Sequence, residues 1–256
     1  MKRDYHIIWH NTIDSTNSEA ARRISDIDNL SVIAARRQTA GRGQRGNTWH
    51  STPGKNLTFS LTVKWGRDGV PDIRSKDQFT VCRTVTLALT AWLEAKGICS
   101  MIKWPNDIYV NDRKICGILI ENRMRGEYLS ESIIGIGLNV NEAGFPAYLP
   151  NPVSVKEETG AIYDLDLCLE EILVCFDARL DMAETAEGRA KLETLYSDRL
   201  YRKNEAHRFI DMVSGQEFTG VICGVSESAC LIVRIQKEGG SSCIREFAFK
   251  EIAYII

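Results

Sequence analysis

Residues 38–46 read Gln-Thr-Ala-Gly-Arg-Gly-Gln-Arg-Gly, with Arg36 and Arg37 just upstream and no acidic residue between 36 and 45. The segment is too polar for a core and too rich in glycine for a helix, so it predicts a mobile cationic loop. Bare N–H groups and guanidinium forks in such a loop suit phosphate or carboxylate oxygens. A second cluster, Lys103-Trp104-Pro105-Asn106-Asp107, sets a lysine, an amide and a carboxylate around a rigid proline. Lys114 then enters an apolar run containing Ile115, Cys116, Ile118, Leu119 and Ile120. An unpaired ammonium is costly to bury, so Lys114 is expected to face a ligand or an acid. Trp49, among Asn47, Thr48 and His50, reads as a stacking surface, and Gly135-x-Gly137-x-Asn139-x-Asn141 brings amides to a strand end. Each feature alone has a plainer reading: a solvated turn, a strand-end lysine, a core tryptophan, a tight turn. Their conjunction favours a ligand site.

Other phosphate-binding schemes fail on context. Gly41-x-Gly43-x-x-Gly46 matches the dinucleotide fingerprint, but a Rossmann glycine loop must open a helix. Here Asn47 to Gly54 is loop chemistry followed by a strand. No GxxxxGK[ST] segment and no kinase HRD or DFG triplet occurs.

GRGQRG, KWPND, the DRKICGILIE hairpin and the GIGLNVN strand end, in that order and after Ser15-Thr16-Asn17, resemble the biotin protein ligases. The resemblance covers residues from about 5 to 200, and five ordered motifs are far more specific than any one. It implies a two-step reaction. Biotin carboxylate attacks the α-phosphate of ATP, carried with Mg²⁺, to give biotinyl-5′-AMP. A lysine of a biotin carboxyl carrier domain then takes the biotinyl group. The resemblance places Ser15, Thr16, Asn17 and Gln38 on the ureido ring. It places Arg42, Gly43 and Gln44 at the carboxylate end and the adenylate. Lys114 would hold the acyl-phosphate oxygens, with Gly117 admitting the ligand to the backbone. Lys103 would face the α-phosphate, with Arg45 and Asn106 also on the nucleotide side. Trp49 would stack on adenine, and Asn139 would lie near the nucleotide. Asp107 would orient Lys103 or receive the carrier lysine's proton. Gln44 stands where some relatives place arginine, which bears on how tightly the adenylate is retained.

These residues must be positioned by an α+β body, a mixed sheet flanked by helices. Strands are expected at Tyr5–Trp9, Ser31–Arg37 and Leu57–Val63, the last half-buried on its period-two alternation. Further strands are expected at Met101–Lys103, Asp107–Val110, Lys114–Glu121 and Ser132–Val140. Helices are expected from Thr16, with Thr16 and Glu19 as a capping box, and over Asp77–Lys96. Others follow a second capping box at Ser154 and Glu157, along the stripe Leu165 to Leu180, and near Glu187–Leu200. From about His207 the pattern becomes short strands: 208–213, 217–225, 230–236 and 244–249, with turns at Ser214-Gly215 and Gly239-Gly240-Ser241-Ser242. This predicts domains at 1–205 and 206–256, the second similar to the SH3-like β-barrel of the biotin ligases.

At 256 residues, with 44% hydrophobic and 26% charged residues and a net charge of −2, the chain reads as an ordinary globular protein. That balance argues against a general nucleic-acid or membrane coat. No signal-peptide h-region or membrane-length apolar run is present, and the cysteines form no CxxC pair, so buried free thiols in a cytoplasmic protein are expected. No metal-ligand spacing occurs. The chain opens at the catalytic body, which predicts a monofunctional ligase without operator DNA binding, monomeric or homodimeric. Lipoate or octanoate attachment is the nearest alternative activity. A nucleic-acid-binding module, on Arg36–Arg45 and a small barrel, is the alternative of another class.

Overall fold

A computed structural model describes residues 2–236 and 241–256, the side chain of Arg45 excepted. The expected turn at Gly239-Gly240 lies outside the described residues. The body runs β1 (His6–His10), α1 (Thr16–Arg23), β2 (Ser31–Ala35), β3 (Leu57–Lys64), α2 (Phe79–Ala95), β4 (Met101–Lys103) and β5 (Asp107–Val110). It continues with β6 (Arg113–Arg125), β7 (Tyr128–Leu138), α3 (Val155–Thr159), α4 (Leu165–Ala183) and α5 (Ala186–Asp198). The tail holds β8 (Ala206–Asp211), β9 (Glu217–Val225), β10 (Leu231–Gln236), β11 (Ser242–Phe247) and β12 (Ile252–Tyr254). No helix among the described residues is long and apolar enough to cross a membrane.

The first seven strands form one mixed sheet in the order β1-β2-β3-β7-β6-β5-β4. Only β1 and β2 run parallel, joined through α1 as a crossover unit. β3 alternates as expected, but it is buried along nearly its whole length rather than on one face. Leu57, Phe59, Leu61 and Val63 join the main core with α2 and α4. Thr58, Ser60 and Thr62 face the other way and are also buried. That polar face does not meet water because α1 lies over it, its own small core being Ala20, Ile24, Ile33 and Ile133. β6 and β7 are longer than expected and form one hairpin whose far end is polar, so the hydrophobic pattern underreports it.

The Thr- and Val-rich α2 is buried on most of its surface. Its hydroxyls turn back on the helix: Thr84 donates to the Thr80 carbonyl at 2.8 Å and Thr86 to the Cys82 carbonyl at 2.7 Å. This satisfies groups that would otherwise make burial costly. The Ser154–Glu157 capping box is present at α3. The Thr16–Glu19 box is not. Ser15 is the N-cap and makes no side-chain cap bond, while Glu19 pairs with Arg22 and Thr16 turns to Gln38. All eight cysteines are free, but only Cys82, Cys116 and Cys168 are buried, and Cys99 is exposed.

The last five strands form an antiparallel sheet in the order β11-β10-β9-β8-β12. β12 has no counterpart among the expected strands, being only three residues long. The sheet docks on the body at the Lys103–Asp107 cluster. The Trp104 indole N–H donates to the Ala229 carbonyl at 3.1 Å, and its ring meets Phe249 edge-on at 6.0 Å.

Candidate active site

The α1 face of the central strands carries the floor of a cavity. Cross-strand register sets Thr58, Gly137 and Gly117 in one row and Ser60, Gly135 and Leu119 in the next. The glycines are there for space. A Cβ on Gly135 would lie 2.0 Å from Asn17 Oδ1, and one on Gly137 2.2 Å from the Trp49 ring. A Cβ on Gly117 would lie 2.8 Å from that ring and 3.2 Å from Lys114 Nζ. The strand glycines therefore seat protein side chains.

Backbone pairing brings distant segments over this floor. The Ile13 N–H donates to the Arg37 carbonyl at 3.0 Å and the Thr39 N–H to the Ile13 carbonyl at 2.9 Å. This lays Ser15–Asn17 beside Gln38. The Thr16 N–H donates to Gln38 Oε1 at 2.8 Å. Ser60 Oγ sits 2.6 Å from Asn17 Oδ1 and 2.8 Å from Thr16 Oγ1. Asn17 Nδ2 donates to Glu121 Oε2 at 2.8 Å.

The arginine loop closes as a small hairpin on itself. The Gly43 N–H reaches the Asn47 carbonyl at 2.7 Å and the Trp49 N–H the Gly41 carbonyl at 2.9 Å, around a short 3₁₀ turn at Gln44–Gly46. Gly41 is needed here because a Cβ would lie 2.6 Å from the Trp49 carbonyl oxygen. Arg42 leaves the hairpin to pair with Glu121 at 2.8 Å. Trp49 closes the floor, and its indole N–H is buried without a hydrogen-bond partner.

Lys114 stands opposite. A register shift in the β5–β6 pairing falls at this residue. The odd offset between Lys114 and Gly117 would put them on opposite faces of a regular strand, yet both line the cavity. Lys114 Nζ donates to Asp107 Oδ2 at 2.7 Å and lies 5.8 Å from the Trp49 ring centroid.

The cavity measures about 170 Å³ and is walled by Ser15, Thr16, Asn17, Gln38, Arg42, Gly43, Gln44, Trp49, Asp107, Lys114 and Gly117, with Gly135 and Gly137 beneath. The arginine segment and the lysine hairpin thus share one pocket. A second cavity of about 290 Å³ adjoins it, sharing Gln44, Asn47 and Asp107 and lined also by Lys103, Asn106 and residues of the C-terminal sheet. Lys103 does not pair with Asp107, which is taken by Lys114. Its ammonium donates to the Tyr109 hydroxyl at 3.1 Å and sits 4.8 and 5.0 Å from the Tyr109 and Tyr254 rings. Burial lowers its pKa; Asp107 works against the shift, and Lys114 and Arg202 add to it. Asn106 is buried and donates to the Ile118 carbonyl at 2.8 Å, tying its loop to β6. Asn139 is not on the cavity wall. Its amide donates to the Val153 carbonyl at 3.0 Å, so it buttresses the strand end from behind.

Three contributors escape sequence reasoning. Ser60 and Glu121 hold Asn17 and Arg42, and Tyr254 covers Lys103. Ser60 left a trace in the alternation of β3. Glu121 closes the DRKICGILIE motif, but nothing in that motif shows its partners, and Tyr254 left no trace, because their roles exist only across strand pairs and sheet docking.

The model of the biotin/lipoate A/B protein ligase family matches residues 9–139, the stretch that carries the cavity. The bifunctional ligase/repressor BirA of Bacillus subtilis is 34% identical over 180 residues, 68% of this chain and 53% of that protein. The biotin–acetyl-CoA-carboxylase ligase of Paracoccus denitrificans is 30% identical over 233 residues, 86% of this chain and 91% of that one. The chain thus spans about half the length of the Bacillus relative. The structure of the Aquifex aeolicus biotin protein ligase in complex with biotin and ATP superposes with a TM-score of 0.74, covering 97% of both chains at 24% identity. The chain belongs to the biotin/lipoate A/B protein ligase family.

Proposed function

We propose that the protein is an ATP-dependent biotin–protein ligase, which forms biotinyl-5′-AMP and passes the biotinyl group to a lysine of a biotin carboxyl carrier domain. The observation that carries this reading is the single cavity with two chemically distinct ends. At one end Ser15, Thr16, Asn17 and Gln38 present hydroxyls and amides. A ureido ring, with two N–H donors and a carbonyl, uses such partners; the dithiolane of lipoate offers none. The name of the Paracoccus relative supports the same choice over lipoate attachment.

At the other end, Lys114 and the Arg42 loop border the adjoining cavity that holds Lys103. Bringing a carboxylate against the α-phosphate places two anions in contact, so fixed cations must offset the repulsion and the charge that develops at phosphorus. Lys114, Lys103 and Arg42 fill that role, with Arg45 and the Asn106 loop on the nucleotide side. Mg²⁺ enters with ATP as part of the substrate. Trp49 keeps one face on the strand glycines and offers the other for ring stacking. Closing the loop over the mixed anhydride would exclude water from it. In the transfer step Asp107, an acceptor for Lys114 and the acid on the cavity wall, would receive the proton of the incoming amine. The carrier belongs to a biotin-dependent carboxylase, which implies a cytoplasmic setting, as monomer or homodimer.

Purified protein is expected to catalyse biotin-dependent exchange of label between pyrophosphate and ATP, with no exchange on lipoate. Lys114→Ala should lower the rate by at least about a hundredfold, the scale set by removing one charge-stabilising group. Folded protein without biotin-dependent exchange would refute the reading, and exchange on lipoate alone would favour the other branch of the family. An unchanged Lys114→Ala rate would remove this lysine from the chemistry.

A further inference from the structure

The Lys103 ammonium lies 4.8 Å from the ring centroid of Tyr109, on β5, and 5.0 Å from that of Tyr254, on β12. Each of the two sheets thus supplies one ring. Tyr254 is itself held by aromatic neighbours, Phe209 edge-on at 5.3 Å and Tyr201 at 6.1 Å. Its hydroxyl is buried without a hydrogen-bond partner, so the ring is the part that meets Lys103. Burial raises the pKa of both phenols above the ordinary value, so neither becomes an anionic partner near neutral pH. The charged groups around Lys103 are Asp107 on β5, Lys114 on β6 and Arg202 beyond α5, with Lys250 on the same cavity wall. Asp107 is the acid among them. It is the register partner of Lys103 across β4 and β5, yet it is bonded to Lys114. The Arg202 guanidinium donates to the Ile255 carbonyl at 2.8 Å.

We propose that Tyr254 is a positioning residue: with Tyr109 it forms an aromatic clamp that keeps the Lys103 ammonium from pairing with Asp107 and presents it, without a counter-ion, to the nucleotide phosphate. The inference rests on the adenylate-forming reaction proposed above. A lysine paired to a carboxylate must give up that partner before it can meet a phosphate. A ring face attracts the cation through its quadrupole and carries no net charge to neutralise it. Lys103 thus remains available to an incoming anion while Asp107 stays with Lys114. The same clamp accounts for the lowered pKa of Lys103, because the rings keep water from the ammonium and burial outweighs the pull of Asp107. The clamp exists only when the two sheets are docked. The tail therefore serves the reaction through a ring that acts on Lys103.

The test compares Tyr254→Leu with Tyr254→Phe in the full chain. Acetylation of Lys103 by acetic anhydride across a pH series, read by peptide mass spectrometry, follows its titration with no substrate added. Tyr254→Leu opens the ammonium to water and to Asp107, so the labelling curve should move to higher pH by about half a unit to one unit. Pyrophosphate exchange should fall about tenfold, as for a displaced reacting group, in kcat rather than in the KM for biotin. Its alkaline limb should move to higher pH with the labelling curve. Tyr254→Phe, which restores the ring alone, should recover both curves. A fluorinated phenylalanine in place of Tyr254 keeps the packing but removes the ring's attraction for a cation, so both curves should move to lower pH. Loss of structure alone would lower the rate and move neither curve in that direction. Coincident labelling curves in the parent, leucine and fluorinated chains would overturn the proposal, as would shifted labelling with unchanged exchange. Labelling needs no substrate. A parent with a low-titrating Lys103 but no biotin-dependent exchange would therefore sink the biotin reading and leave the clamp standing on the labelling result.

Discussion

Lys103 shows how one residue's setting decides its chemistry. Its ammonium meets two tyrosine rings and a hydroxyl where a carboxylate was expected. Ring faces and a neutral oxygen stabilise a cation less than water and a counter-ion do, so the proton is held less firmly than in free lysine. The sign follows. The folded state binds this proton more weakly than the unfolded chain, so the charged form costs stability near neutral pH. That cost is relieved as pH rises past the lowered value. A step that uses the cation weakens over the same rise. Lys103→Arg keeps its charge, so its pyrophosphate-exchange profile should hold to higher pH on the alkaline limb than the parent's. Coincident alkaline limbs would show that the Lys103 charge is not used. From the sequence, Lys103 was legible as a site cation, but its partner was not. Asp107 lies opposite it in the β4–β5 register, yet Lys114 takes the carboxylate from the next strand.

At the scale of elements, α3 carries little area but holds the strand end that supports Lys114. The Val155 N–H donates to the Asn139 carbonyl at 3.0 Å, and the Val153 N–H to the Lys114 carbonyl at 3.0 Å. The Ser154 hydroxyl, fully buried, caps α3 and donates to the Glu142 carbonyl at 2.6 Å. Ser154→Ala should cost about 1 kcal/mol, up to roughly 2, in urea unfolding. A loss within 0.3 kcal/mol of zero, on the order of measurement error, would mean that the cap is not used. The two capping boxes written in the sequence separate here. Ser154-x-x-Glu157 closes because α3 begins against buried backbone. Thr16-x-x-Glu19 does not, because Gln38 and Ser60 offer Thr16 better partners from outside the helix. Local spacing could not rank those offers. The half-buried reading of β3 failed for a related reason: alternation reports two faces, not what covers each.

At the scale of the molecule, we propose that residues 1–205 and 206–256 are separate domains that share the wall of the second cavity. Trp104 is 6% exposed and spans the boundary through Ala229 and Phe249. Trp104→Ala should lower stability by about 3–5 kcal/mol, the range for emptying a large aromatic site. It should also reduce exchange activity, since Lys103 and Tyr254 would lose their common frame. A stable variant with full activity would show that the tail does not support the nucleotide side.

The sequence by itself determined the element types, the mixed sheet with a β-rich tail, and the identity of most residues that wall the cavity. The element types and the β-rich tail follow from hydrophobic period and turn chemistry, which are local, while the mixed sheet and the cavity residues are what the resemblance to the biotin ligases implies. Only the tertiary structure decided that Gly117, Gly135 and Gly137 make room for Trp49 and Asn17, that Lys114 takes Asp107, and that Arg42 rests on Glu121. Those choices arise from strand register and from competition among polar groups brought together across the fold. Chain spacing lists the candidates for such contacts, and three-dimensional packing selects among them.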